Sequence, residues 1–251
     1  MSDADDFQNG DDILRKVAEA RARIGSACAK ARRSPDEVEI VAITKTHGPD
    51  VVRDAWNAGL RRFGENRVQE AAWKIPEAPP GPEWHFVGHL QRNKVPHALA
   101  LFPVIEAVDS ERLLDAIVHA AKLSGNRPEI LFEVNISGEA SKFGLRPEAV
   151  DPLLEKALGT PEVTVAGLMT MAPFQPDPEK TRPVFAGLRE LRDRLERDFG
   201  IGLPRLSMGM SNDFEVAVEE GATWVRLGTC LFGQRPKWKP VFENSFDDEN
   251  G

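Results

Sequence analysis

The sequence predicts an α/β fold, a single closed (β/α)8 TIM barrel with an extra N-terminal helix. Three observations carry this. Short apolar or β-branched runs alternate with helical segments, and eight such runs can be counted along the chain. The length of 251 residues matches the roughly 250 that such a barrel needs. No GxGxxG follows an early strand, so an open dinucleotide-binding sheet, the structural alternative, gains no support.

The extra helix is expected over residues 12–32. Ile13, Val17, Ala20 and Ile24 recur at helical spacing, Asp11 or Asp12 can cap it, and Ser34-Pro35 ends it. The eight strands are expected at 38–44, 61–66, 83–88, 104–109, 129–135, 164–170, 205–209 and 224–229. Helices are expected at 50–58, 111–123, 148–158, 178–199 and 212–220, and the Pro/Gly-rich residues 76–82 read as a loop within the barrel. Strands that alternate with helices pair in parallel through right-handed crossovers. The Arg-rich segment 182–197 carries interleaved acids at helical spacing and reads as a solvated helix face.

Hydrophobic residues make up 41% and charged residues 29%, which suits a globular chain with a sizeable core. The net charge of −8 gathers at the two ends, in Asp3, Asp5, Asp6, Asp11 and Asp12 and in Glu243, Asp247, Asp248 and Glu249. Residues 1–11 and 237–251 are therefore expected to be mobile acidic segments flanking a barrel at 12–236. The acidic balance argues against nucleic acid as a partner. No stretch approaches the roughly 20 apolar residues of a membrane span. The acidic N-terminus lacks the features of a secretion signal, so a cytoplasmic location is expected. Cys28 and Cys230 lie far apart and outside any CxxC pair, as reduced structural thiols do.

In a barrel of this kind the chemistry sits at the C-terminal ends of the strands. Lys45 follows the first strand directly. A lysine there either snorkels into solvent or, desolvated, offers a neutral amine to an aldehyde. The turn Ser207-Met208-Gly209-Met210-Ser211 follows strand seven, where Ser211 or Asn212 can cap the next helix. Arg226, Gly228 and Thr229 end strand eight. Loops after strands seven and eight are the habitual phosphate site of the fold. Strand one neighbours strand eight in a closed barrel, so one ligand bearing an aldehyde and a phosphate would link these features. Pyridoxal 5'-phosphate (PLP) is such a ligand, and a Schiff-base aldolase acting on a sugar phosphate is equally permitted by the chemistry. His85 alternates with Trp84 and Phe86 and is read as pocket-lining or as a satisfied core histidine. His85, His89 and His97 match no zinc spacing, so no metal is expected.

Long stretches carry a resemblance: AITKTH (42–47), RFGENRVQEA (62–71), WHFVGHLQRNK (84–94), FEVNISGEASKFGL (132–145), VAGLMTMAP (165–173) and the run at 206–235. Together they resemble the pyridoxal phosphate homeostasis protein family, related to the N-terminal barrel of bacterial alanine racemase. The resemblance implies a single-domain PLP fold of type III with an internal aldimine on Lys45. It places Asn66 beside the cofactor ring, Arg226 near the pyridine nitrogen, and Gly209, Ser211, Gly228 and Thr229 on the phosphate. Met169, Ser207, Met208 and His85 join them as cofactor-binding candidates. The family is described as buffering or delivering PLP without established turnover, with apo PLP-dependent enzymes as possible recipients, and a monomer or weak dimer is expected. The alternative is a racemase-type PLP enzyme. Arg67 stands where many relatives carry a tyrosine, and the chain has no tyrosine at all.

Overall fold

The structure is a computed structural model and describes residues 10–139 and 142–233. The acidic ends expected to be mobile fall, apart from residues 10 and 11, outside the described residues. Eight parallel strands form a closed barrel in chain order, as the alternation predicts. They are β1 (Glu39–Ile43), β2 (Arg62–Glu65), β3 (Glu83–Phe86), β4 (Val104–Val108), β5 (Glu129–Glu133), β6 (Thr164–Met169), β7 (Arg205–Met210) and β8 (Trp224–Leu227). Each lies within the segment expected of it except β7, which runs one residue further.

Nine α-helices surround them among the described residues: α1 (Gly10–Lys30), α2 (Pro49–Asn57), α3 (Val68–Lys74), α4 (Val95–Leu101), α5 (Glu111–Ser124), α6 (Val150–Leu158), α7 (Arg182–Phe199), α8 (Phe214–Glu219) and α9 (Thr229–Phe232). The short helices α3, α4 and α9 span two turns or fewer, too few for a periodic apolar face to stand out in sequence. The extra helix α1 starts at Gly10, so Asp11 and Asp12 lie in its first turn, where acids favour the helix dipole, and not at a cap. Its buried face of Ile13, Val17, Ala20 and Ile24 is the predicted one, and it packs on α2, α8 and α9. Among the described residues no helix is long and apolar enough to cross a membrane.

Strand alternation sorts the core into two compartments. Residues such as Ala42, Phe63, Phe86, Ile105, Ile130, Phe132 and Leu206 face outward into the layer between strands and helices. Val41, Val104, Leu131, Ala166, Met169 and Trp224, with Ile43 and Met171, fill the barrel interior. The floor of that interior is charged. Arg62 pairs with Glu39 and, at 2.8 Å, with Glu83, and the Arg205 guanidinium lies 4.9 Å from the Trp224 ring centroid.

The Arg-rich helix α7 is less solvated than expected. Arg182 pairs with Glu219 and Glu220 of the α8 end, and Arg194 pairs with Asp151 of α6 at 2.7 Å. These side chains tie neighbouring helices together.

Gly167 on β6 has no room for a side chain: a Cβ there would lie 1.8 Å from the Arg205 carbonyl oxygen. Gly167→Ala is therefore expected to cost about 1–3 kcal/mol in urea unfolding. Gly202→Ala, with nothing within 4 Å of the added carbon, is expected to be close to neutral.

Candidate functional site at the barrel mouth

Closure of β1 on β8 pairs Val41 with Arg226 and Ala42 with Leu227. Val41 and Ile43 point into the barrel, β1 ends at Ile43, and Lys45 follows in the turn beyond it. The half-buried Lys45 thus stands just past the C-terminal end of β1, one strand away from Arg226.

Arg226 is the charged centre of this mouth. It is only 4% exposed. Its Nη1 donates to Ser207 Oγ at 2.6 Å and its Nη2 to the Thr170 carbonyl at 2.9 Å. Ser207 Oγ donates in turn to Glu106 Oε2 at 2.5 Å. The other Glu106 oxygen accepts from His85 Nδ1 at 2.6 Å, and His85 Nε2 donates to Glu83 at 3.0 Å. A continuous polar chain therefore runs from the mouth to the barrel floor.

The protonation states follow from the partners. Burial disfavours the His85 imidazolium, but the hydrogen bonds it donates to Glu106 and then to Glu83 outweigh it and raise the pKa. Burial likewise works against the Glu106 carboxylate, yet His85, the Arg226 charge and Ser207 hold its pKa below the ordinary value. Burial lowers the Arg226 pKa, though a guanidinium stays charged.

His85 is thus the satisfied core histidine of the two sequence readings. It is fully buried, with both nitrogens on carboxylates and its ring centroid 4.6 Å from that of Trp224. A direct place for His85 in the lining of the mouth is corrected: it reaches Arg226 only through Glu106 and Ser207. Met208 also departs from expectation. Its side chain is fully buried in the layer between strands and helices, so only its backbone can border the site. Met169 does face inward, as the last residue of β6.

Asn66 follows β2 and is half-buried, with its Oδ1 buried and without a hydrogen-bond partner. Gly88 makes its seat possible, because a Cβ at Gly88 would lie 2.6 Å from the Asn66 carbonyl oxygen. Arg67 next to it is exposed. An orphaned acceptor at the mouth is what a ligand with donors of its own would satisfy.

On the far side of Arg226, Gly209 has φ +91° and a Cβ there would lie 2.5 Å from that of Ala217, so glycine alone brings β7 this close to α8. Neither Ser211 nor Asn212 caps α8. Asp213 occupies the N-cap position and its side chain accepts from Met210 N–H at 2.7 Å. The Ser211 hydroxyl instead accepts from the N–H groups of Gly228 (3.4 Å) and Cys230 (3.2 Å). The loops after β7 and β8 are therefore stitched together around backbone donors, with Thr229 exposed at the start of α9. These residues fit an anion, and with Lys45, Asn66 and Arg226 they fit PLP.

Sequence reasoning missed the buried acids. Glu106 and Glu133 each sit in an apolar strand, and an acid inside such a run is the signal that could have found them. Glu133 ends β5 with the inward parity of Leu131, is 3% exposed, and makes no side-chain hydrogen bond among the described residues. Burial, then the nearby Asp109 charge, raise its pKa to about 7 against the pull of Arg226 and His89.

The model of the family described as "Alanine racemase, N-terminal domain" matches residues 21–236. A pyridoxal phosphate homeostasis protein of Aquifex aeolicus (strain VF5) is 45% identical over 221 residues, covering 88% of this chain and 97% of that protein. Among solved structures, PipY of Synechococcus elongatus PCC7942 with PLP bound is 35% identical with a TM-score of 0.79, covering 88% of this chain and 100% of that one. An alanine racemase of Clostridium difficile 630 is 13% identical with a TM-score of 0.70, over 90% of this chain and 57% of that one, a likeness of fold.

Glu133 gives a pH prediction. Its folded pKa of about 7 lies above the ordinary 4.5, so the folded state holds a proton that the unfolded state has released. Its stabilising contribution is complete below pH 4.5 and is lost as pH rises through about 7. Glu133→Gln cannot ionise, so its stability relative to wild type is expected to rise between pH 5 and 8, read from urea midpoints.

Proposed function

The chain belongs to the pyridoxal phosphate homeostasis protein family, and from that premise we propose that it carries PLP on Lys45 and buffers or delivers it within the cytoplasm. The observation that carries this reading is the convergence of three groups at one mouth. They are the turn that carries Lys45 after β1, the buried Arg226 guanidinium, and the Ser211-bridged N–H groups of Gly228 and Cys230. Bound there, PLP supplies an aldehyde that condenses reversibly with a primary amine.

The residues divide the binding among themselves. Lys45 provides the amine, and Asn66 offers its unpartnered Oδ1 at the ring edge. Gly209, Ser211, Gly228 and Thr229 hold the phosphate. Met169 lines the interior beneath. Ser207 fixes Arg226, and His85 fixes the Glu106 that balances its charge.

Arg226 also limits the chemistry. A guanidinium has donors only, so a ring nitrogen facing it must accept and stays unprotonated. Such a ring is a poor electron sink for deprotonation at a substrate carbon. A two-base racemase that opposes lysine with tyrosine cannot be built from this chain, which has none. The site suits a reversible tether, with apo PLP-dependent enzymes as recipients and the protein acting as a monomer or weak dimer.

Purified protein mixed with PLP is expected to gain a visible absorption band and, after borohydride, a mass adduct on Lys45. Lys45→Ala is expected to lose both. Racemisation of amino acids, followed by chiral analysis, is expected to stay at background. Substantial turnover abolished in Lys45→Ala would overturn the carrier reading in favour of an enzyme. Transfer of PLP to an apo-enzyme faster than from free solution would support delivery.

A further inference from the structure

Lys45 sits in a turn that its own sequence does not favour. His47 N–H donates to the Thr44 carbonyl at 3.0 Å, which closes a β-turn with Lys45 and Thr46 at its centre. Thr46 has φ +69°. A positive φ at the third position of a turn belongs to glycine or asparagine, and for a β-branched residue it is strained. Strain of this kind persists only where surrounding contacts enforce it.

Those contacts come from α3. Glu70 Oε1 accepts from Thr46 N–H at 2.5 Å. Lys74 Nζ donates to the Thr44 carbonyl at 2.7 Å, and to Glu70 at 3.0 Å and Glu65 at 2.5 Å. Thr44 Oγ1 donates to the same Glu65 oxygen at 2.7 Å. Both peptide groups flanking Lys45 are therefore gripped, one through its carbonyl and one through its N–H. Lys74 and Glu65 are fully buried and Glu70 is 4% exposed. Glu65 and Phe63 share the outward parity of β2, so the cluster lies behind the turn and outside the mouth.

We propose that Glu70, Lys74 and Glu65 form a positioning clamp that holds the Thr44–His47 turn in its strained shape and so aims the Lys45 amine into the mouth. None of the three touches the ligand in this arrangement. They act through the backbone on either side of Lys45. Glu65 titrates unusually high, at about 7, because of burial. The groups facing it are Lys74 and Glu70 from α3 and Thr44 from the turn. The inference deepens the PLP reading and rests on it.

The test separates imine formation from ligand binding. Glu70→Met leaves the Lys74–Glu65 pair intact and frees Thr46 N–H. The probes are PLP, followed by its visible band and borohydride adduct, and pyridoxine 5'-phosphate, which has the same ring and phosphate but no aldehyde. Glu70→Met is expected to slow adduct formation at Lys45 by about tenfold or more and to bind pyridoxine 5'-phosphate within about twofold of wild type. Thr46→Gly added to Glu70→Met is expected to recover most of the rate, because glycine adopts φ +69° without enforcement. Should Glu70→Met not fold, Glu70→Gln keeps an acceptor for Thr46 N–H without the charge, and is expected to show a smaller slowing with the same glycine rescue. Unchanged adduct rates in the folded variants, a slowing that glycine does not relieve, or an equal loss of analogue binding would overturn the clamp alone. A wild type that forms no Lys45 adduct would overturn the cofactor reading beneath it.

Discussion

A guanidinium cannot be taken out of water without partners, and the interior of this barrel is organised around one that has been. Arg226 is buried at the top of β8. Its neutralisation runs downward through Ser207, Glu106, His85 and Glu83, each link 3.0 Å or shorter. An uncompensated charge at this depth would cost several kcal/mol. The chain answers that cost by giving Glu106 an imidazolium, a hydroxyl and the guanidinium field. The strands contributing these groups are β3 and β4 on one side and β7 and β8 on the other, so the network also ties opposite sides of the barrel together across its interior.

The same physics explains why two buried glutamates behave oppositely. Glu106 and Glu133 both lie on inward strand positions and both are desolvated. Glu106 has His85 and Ser207 as donors and stays ionised. Glu133 has none among the described residues and sits beside Asp109, so its proton is released only near pH 7. Burial is shared by the two, and the number of donors separates them. The end of the barrel that Glu133 faces thereby carries one negative charge fewer below neutrality.

Much of the outline was legible in the primary structure. The alternation of runs placed all eight strands, because parallel strands buried on both sides are near-continuous apolar segments. Gly209 and Gly228 marked the two loops, and Lys45 stood out as a charge ending an apolar strand. His85 and Met208 were read less well. Parity alone says that a residue faces inward or outward. It does not say whether an inward histidine meets a ligand or two carboxylates, and Met208 follows the parity of Leu206, not of Ser207. Ser211 was expected to serve its own helix. Its hydroxyl serves the loop after β8 because barrel closure brings Gly228 and Cys230 to it.

By itself the sequence determined the barrel, the place of each strand and the family, since all of these depend on local spacing or on residue type. The tertiary structure alone decided how those elements are charged and aimed. Glu65, Glu70 and Lys74 meet Thr44 and Thr46 only because β1 pairs with β2 and α3 packs behind them. Glu106 finds Ser207 across 101 residues of chain. Hydrogen bonds and desolvation depend on distances of a few ångströms, and those distances are set by closure of the sheet, which no local stretch of residues encodes.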